Sequence, residues 1–137
     1  MKQRILTILL INLLVLPQVL SQTVPAELVS AFGRGDADAV SEWFHQSLEM
    51  SILEKEYETS KNQATRILES FFKDHVPSGF RISFEGTKEQ SKYAIGTLST
   101  SNGNFRVNLF FLNKDGQRLL YYLSIEKESQ YELHPQP

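Results

Sequence analysis

His45, in "SEWFHQSLEM", and Tyr121, in "RLLYYLSIE", are the side chains best suited by type to move a proton near neutral pH. Histidine changes charge close to neutrality, and a tyrosine hydroxyl in an apolar setting needs a hydrogen-bond partner, a place a substrate can take. Paired, they would make a small isomerase- or hydrolase-like site. Each also has a plainer role. His45 follows Trp43 and Phe44 at the end of a predicted helix, where it can bond the last free carbonyls, and Tyr121 falls on a predicted core face. His75 ends another helix and His134 lies in the tail, so the three histidines have neither the i,i+4 nor the clustered spacing of a zinc site. Asp36-x-Asp38 is not followed by the ligand series and glycine of a calcium loop. Gly33-Arg34-Gly35 lacks the preceding strand and third glycine of a phosphate loop, and no nucleophile elbow occurs. No metal and no cofactor are expected.

General acid–base chemistry needs a titratable group within hydrogen-bond reach of the substrate. Asp36 and Asp38 open a helix, where negative charge suits the dipole; Asp74 closes another, and Asp115 sits in a turn. Glu49, Glu85 and Glu126 alternate out of phase with the core residues of their strands. With no inward carboxylate, the favoured reading is a non-catalytic binding or assembly module of unknown ligand, and no catalytic residue is assigned. Proton chemistry at His45 and Tyr121 is the alternative.

The elements that would position these groups begin after a leader. Lys2 and Arg4 precede an apolar run from Ile5 to Leu16, then Pro17, Gln18 and Val19-Leu20-Ser21, the layout of a secretory signal cleaved after Ser21. The run falls short of the roughly 20 apolar residues of a spanning helix. Residues 1–21 are therefore read as a signal peptide, the protein as periplasmic or secreted, and the cleaved chain as having no membrane span. Cysteine is absent, which excludes a thiol-linked lipid anchor and a disulfide scaffold. Residues 22–128 have the length of one α+β domain, and residues 129–137, polar with two prolines, read as a flexible tail. Without Lys2 and Arg4 the chain keeps 12 basic against 16 acidic residues, a net charge of −4. Nucleic acid needs a clustered basic face, which these scattered cations do not make.

Pro25 starts a first helix in which Leu28 and Phe32 share a face, ended by Gly33 and Gly35. Asp36 caps a second, with Ala39, Val40, Trp43 and Phe44 on one stripe. Leu48, Met50 and Ile52 alternate as a strand. Ser60 and Gln63 form a capping box for a third helix, whose apolar stripe is Ala64, Ile67, Leu68, Phe71 and Phe72. Phe80, Ile82 and Phe84 alternate along the next strand. Asn102-Gly103 predicts a two-residue type I′ hairpin that pairs Leu98 with Val107 and Gly96 with Leu109. A three-residue Lys114-Asp115-Gly116 loop pairs Phe111 with Leu119 and Leu109 with Tyr121. One face then turns Ala94, Gly96, Leu98, Val107, Leu109, Phe111 and Tyr121 toward the helices, with room beside Ala94 and Gly96 for Phe71 and Phe72. The other carries Tyr93, Ile95, Phe110, Leu112, Leu120 and Tyr122, an apolar patch of the kind that marks an interface.

This order of elements, with "SKNQATRILESFF" and "YAIGTLSTSNGNFRV", resembles small exported bacterial proteins of a domain-of-unknown-function family with a nuclear-transport-factor-2-like (cystatin-like) fold. The resemblance implies an α+β architecture, three N-terminal helices packed on a curved antiparallel sheet like a cone, and dimerisation through the sheet. It implies no reaction. Enzymes on similar cones, such as ketosteroid isomerase and scytalone dehydratase, hold an aspartate or histidine inside the cone, and here every aspartate falls elsewhere. The resulting expectations are a homodimer through the six-residue patch and a pocket for a small apolar ligand between helices and sheet, lined by Trp43, Phe44, Phe71, Leu109 and Tyr121.

Overall fold

Pro25, at φ −61° and ψ 145°, leads into α1 (Ala26–Gly33), and its carbonyl accepts from the amides of Leu28 and Val29. These positions come from a computed structural model of the chain that describes residues 24–129; the segment expected to be a signal peptide and all of the tail beyond Ser129 lie outside the described residues. Gly35, at φ 67°, turns the chain, and Asp36 caps α2 (Ala37–Ser41), its Oδ1 accepting the Ala39 amide at 3.0 Å. Helix α2 stops before Trp43 and Phe44. The Leu120 amide donates to the Trp43 carbonyl at 2.7 Å and Phe44 opens strand β1 (Phe44–Ile52), so sheet pairing overrides the helical stripe. His45 is thus a strand residue, not a helix cap.

Strand β1 turns directly into β2 (Lys55–Ser60), which alternation does not announce because Tyr57 is its one large apolar residue. Leu53 and Glu54 make the turn at φ 51° and 71°, the left-handed region usually left to glycine and asparagine. Two contacts hold it there. The Leu53 amide donates to the Ile125 carbonyl at 2.9 Å, and the Glu54 amide donates to the Glu126 carboxylate, 3.2 and 3.0 Å from its two oxygens. Ser60 then caps α3 (Lys61–Asp74), its Oγ accepting the Gln63 amide at 3.3 Å. The Gln63 side chain meets Thr59 Oγ1 at 3.2 Å, so the serine arm of the capping box closes while the glutamine is used one residue earlier.

Four further strands follow: β3 (Pro77–Lys88), β4 (Ser91–Thr100), β5 (Gly103–Lys114) and β6 (Gln117–Lys127). The six-stranded sheet has the order β2-β1-β6-β5-β4-β3; β1 runs parallel to β6 and all other neighbours are antiparallel. The helices lie on one face of this curved sheet, and Phe32, Phe44, Leu68, Leu98, Leu109 and Phe111 are among the fully buried side chains between the layers. The architecture is the expected α+β one.

Both late hairpins differ in register from expectation. In β4–β5, Thr100 pairs with Gly103 and Leu98 with Phe105, so Ser101 and Asn102 form the turn and Gly103, at φ 113°, follows it. Thr100 Oγ1 accepts the Asn102 amide at 3.1 Å and donates to the Gly103 carbonyl at 2.8 Å, which closes the loop one residue early. A slip of two keeps every side chain on its face. In β5–β6 the turn is Asp115-Gly116, at φ 53° and 77°, and Lys114 pairs with Gln117. That register is off by one, and a bulge takes it to off by two, which restores the faces beyond it: pairing passes from Phe111–Leu120 to Phe110–Tyr122, leaving Tyr121 unpaired. Leu120 therefore belongs to the core, fully buried, and Tyr121 leaves the core face to stand beside Phe110 at 6.3 Å between ring centres. The expected places of these two residues are reversed.

A second bulge, at Ser83, lies between the Ile82–Gly96 and Phe84–Ile95 pairs of β3 and β4. It puts Phe84 on the face away from the helices and Glu85, opposite Ala94, on the helix side, where Glu85 remains exposed and accepts the Val24 amide at 3.3 Å. The space at Gly96 is filled by Phe80, whose ring a Cβ on Gly96 would meet at 2.7 Å, and Phe80 continues onto Phe32 at 4.9 Å. That room is not used by Phe71 and Phe72.

Candidate functional site

Two features on opposite sides of the sheet are available for recognition. On the outer face, away from the helices, aromatic rings form a row across four strands. Phe84 lies 5.7 Å from Tyr93, Tyr93 stacks on Phe110 at 5.9 Å, and Phe110 meets Tyr122 edge-on at 5.3 Å. Tyr121, displaced by its bulge, adds a fifth ring. Phe84 is 52% exposed and Leu112 38%, high values for side chains of this size. Farther along the same face the surface is polar: Asn108 Nδ2 donates to Ser124 Oγ at 2.8 Å, and Ser51 Oγ donates to Glu126 at 3.0 Å.

On the inner side a groove of about 630 Å³ opens between α3 and the β1–β2 hairpin, within the size range of ligand sites. Helix α3 contributes Gln63, Arg66, Ile67, Ser70, Phe71 and Asp74 at helical spacing, and the hairpin contributes Leu53, Lys55, Tyr57, Glu58 and Thr59. His75 closes one end, its ring 4.7 Å from Phe71 and 4.9 Å from Phe105. Its Nδ1 is buried and without a hydrogen-bond partner among the described residues. Lys55 Nζ lies 5.5 Å from the Tyr57 ring centre, and Leu53 is 44% exposed at the rim.

The expected pocket residues are not gathered around one cavity. Phe44 and Leu109 are consumed by the core, at 2% and 0% exposure; Trp43 packs partly buried against it; Phe71 alone of the five reaches the groove, and Tyr121 is on the outer side. His45 and Tyr121, by contrast, do come together. They line one outer hollow of about 450 Å³ with Glu49, Glu58 and Leu112. The histidine Nδ1 faces its own strand, 3.2 Å from the Ser47 amide that donates to it and 3.0 Å from the Ser47 carbonyl. Of the six expected interface residues, five share the outer face and Leu120 does not. The outward places of Phe84 and Tyr121, which join them, and the groove apart from Phe71 are not legible in the sequence. The bulges that move the first two have no residue signature here, and β2 carries too little hydrophobic alternation to be seen. Among the described residues no group of three or more histidine, cysteine or acidic side chains is arranged to hold a metal ion, and no helix is long and apolar enough to cross a membrane.

A curved sheet of this order with helices on one face defines a nuclear-transport-factor-2-like, cystatin-like α+β domain. Solved structures of that kind share the fold at low identity. A domain of unknown function with a cystatin-like fold from Nostoc punctiforme PCC 73102 is 14% identical, covers 78% of this chain and 76% of its own, and gives a TM-score of 0.58. An NTF-2 like protein of unknown function from Silicibacter pomeroyi DSS-3 is 15% identical over 74% of this chain and 87% of its own, with a TM-score of 0.55. Within that class the chain matches Domain of unknown function (DUF4783) over residues 25–126 and belongs to that family. A DUF4783 family protein from Bacteroides ovatus ATCC 8483 is 32% identical over 80% of this chain and 99% of its own, with a TM-score of 0.75. No curated protein matches the chain significantly.

Proposed function

We propose that the protein is an exported, non-catalytic assembly module that pairs with a second copy of itself through the outer face of its sheet. The observation that carries this reading is the row Phe84, Tyr93, Phe110 and Tyr122, with Leu112 and Tyr121 beside it. Such large, partly exposed side chains together offer an apolar area on the order of 400 Å². A standard interface takes ~800 Å² from each partner, a little over half of it apolar, so this row supplies the apolar share of one. A symmetric pair removes the same row twice and leaves the polar half of the face as its rim. Export rests on Lys2, Arg4 and the apolar run before Ser21; mass spectrometry of the exported form should find Gln22 at its start, and an intact leader in that form would contradict it.

Light scattering of the wild type and of Phe110→Lys tests the pairing. The lysine places an unpaired charge at the centre of the row, so the dimer should weaken by about a hundredfold or more while circular dichroism stays that of the folded chain. A wild type that is monomeric at high micromolar concentration refutes the reading.

A second reading has one observation in its favour, the hollow shared by His45 and Tyr121. It makes the protein a small isomerase- or hydrolase-like enzyme. Turnover in a ketosteroid or small-ester screen that disappears in His45→Ala would establish it over the first.

A further inference from the structure

The two edges of the sheet are treated differently. Strand β3 is guarded by the devices that stop strands from pairing with strangers: Pro77 lacks an amide hydrogen, the Ser83 bulge breaks the register, and α1 backs onto it, a Cβ on Gly33 coming 3.3 Å from the Phe80 amide nitrogen. Strand β2, at the other edge, has no proline, glycine or bulge; it is guarded only by its shortness and by the charges of Lys55, Glu56 and Glu58, which a ligand of complementary charge can satisfy. Its pairing with β1 runs unbroken from Ser47–Ser60 to Ile52–Lys55, and among the described residues no strand pairs with its other flank. The groove beside α3 reaches that flank. It is lined by Lys55, Tyr57 and Thr59 from one face of β2 and by Glu58 from the opposite face, which requires it to wrap the strand's edge.

We propose that this groove binds an extended polypeptide segment that adds to β2 as a seventh strand, with apolar side chains alternating against basic ones. Three observations select that occupant. First, an edge of free backbone amides and carbonyls beside a helix satisfies a peptide backbone, the mode of recognition called strand addition. From Gln63 to Asp74 the helix wall is about 16 Å long, at 1.5 Å per residue, and about five extended residues fill that length. Second, side chains on one face of the added strand would meet Ile67, Phe71, Tyr57 and the exposed Leu53, an apolar and aromatic stretch set among the polar Lys55, Gln63, Arg66, Ser70 and Asp74 of the same wall. Third, those on its other face would stand beside Glu56 and Glu58, both exposed, with Glu49 directly across from Glu58. Three carboxylates there favour lysine or arginine in the ligand. The same charges disfavour a second copy of this chain, since antiparallel β2–β2 pairing would set glutamate against glutamate. Leu53 and Glu54 hold strained left-handed backbone at the mouth of the groove, and strain of this kind gathers at ligand clamps. None of this rests on the outer-face dimer.

Three synthetic octapeptides test it by fluorescence polarisation against the folded chain: one alternating leucine or valine with lysine, one alternating the same apolar residues with glutamate, and one with the first peptide's composition spaced at i,i+3,i+4. The first should bind in the micromolar range and the others at least about tenfold more weakly. Methylating alternate backbone nitrogens of the first peptide should abolish binding for one parity and spare it for the other, because only one set of amides faces β2. Ser70→Arg, which fills the groove from an exposed position of α3, should weaken binding about tenfold, whereas Glu69→Arg, outside the groove, and Phe110→Lys should not. No binding of the first peptide up to about millimolar concentration, equal loss from both methylation patterns, or full binding to folded Ser70→Arg overturns the proposal.

Discussion

Strands β4 and β5 pair without interruption from Ser91–Leu112 to Thr100–Gly103, whereas each of their outer neighbours, β3 and β6, carries a bulge that exchanges its two faces partway along. The uninterrupted pair behaves as simple alternation demands. Ala94, Leu98, Phe105, Val107, Leu109 and Phe111 are buried, and Tyr93, Ile95 and Phe110 face out partly covered. In the bulged strands alternation holds up to Ile82 and from Tyr122 onward, and inverts beyond. The consequence is functional. Both inversions bring an aromatic ring, Phe84 or Tyr121, to the outer row, so the bulges widen the candidate interface instead of merely bending the sheet.

The widest gap between the two sides of a bulge is tested at Leu120 and Leu112. Leu120 is fully buried opposite Phe111, while Leu112 is 38% exposed at the rim. Leu120→Ala should destabilise the chain by about 2–5 kcal/mol, the range for a truncated core leucine, and Leu112→Ala by under about 1 kcal/mol. Urea unfolding of the two variants measures the difference. Equal losses would place Leu120 on the outer face after all and remove the Tyr121 bulge.

On the β3 side the expected effect is smaller. A methyl group on Gly96 must displace the Phe80 ring or the Arg81 carbonyl, 2.7 and 2.8 Å away, just before the Ser83 bulge. Gly96→Ala should cost about 1–3 kcal/mol through overpacking. A neutral result in the same unfolding experiment would mean that β3 slides along the bulge to make room, and that its register is softer than that of β4–β5.

How much of this was legible depends on what each residue had to beat. Helix α3 is plain in the sequence because Ser60, Gln63 and the Ala64 to Phe72 stripe all agree, and it forms with that cap and that buried side. The middle strands are legible because β-branched and aromatic residues alternate over long runs. Helix α2 is shorter than its stripe implies because Trp43 and Phe44 fit a helical stripe as well as a strand start, and the deciding contact, the Trp43 carbonyl with Leu120, lies far away in sequence. The turn at Asn102-Gly103 was misplaced by one residue because the Thr100 hydroxyl competes with the intrinsic preference for type I′. The β5–β6 turn is obscured for the opposite reason: the hydrophobic pattern alone favours a three-residue loop, and the bulge at Tyr121 breaks that pattern. Of the candidate site, five outer-face residues were legible and the groove was not, since it depends on β2 and on the parallel pairing of β1 with β6.

The smallest expected effect compares two of the tight hairpins, β1–β2 and β5–β6, which solve one backbone problem with different residues. At the β5–β6 turn the second left-handed position is Gly116, at φ 77°; at the β1–β2 turn it is Glu54, at φ 71°. A side chain in that region costs roughly 1–2 kcal/mol against the right-handed alternative, and glycine avoids the cost while adding about 0.4–1 kcal/mol of conformational entropy to the unfolded chain. The bond that holds the β1–β2 turn to Glu126 is made by the Glu54 backbone amide, which glycine retains. Glu54→Gly should therefore stabilise the chain slightly, by about 0.5 kcal/mol, and Gly116→Ala should destabilise it by about 1 kcal/mol. Both shifts should appear in the urea midpoint with the slope unchanged, as expected when only the turn is altered. If Glu54→Gly instead destabilises by more than about 0.5 kcal/mol, the glutamate side chain supports the hairpin, and the strain assigned to the mouth of the groove is smaller than its dihedral angles imply.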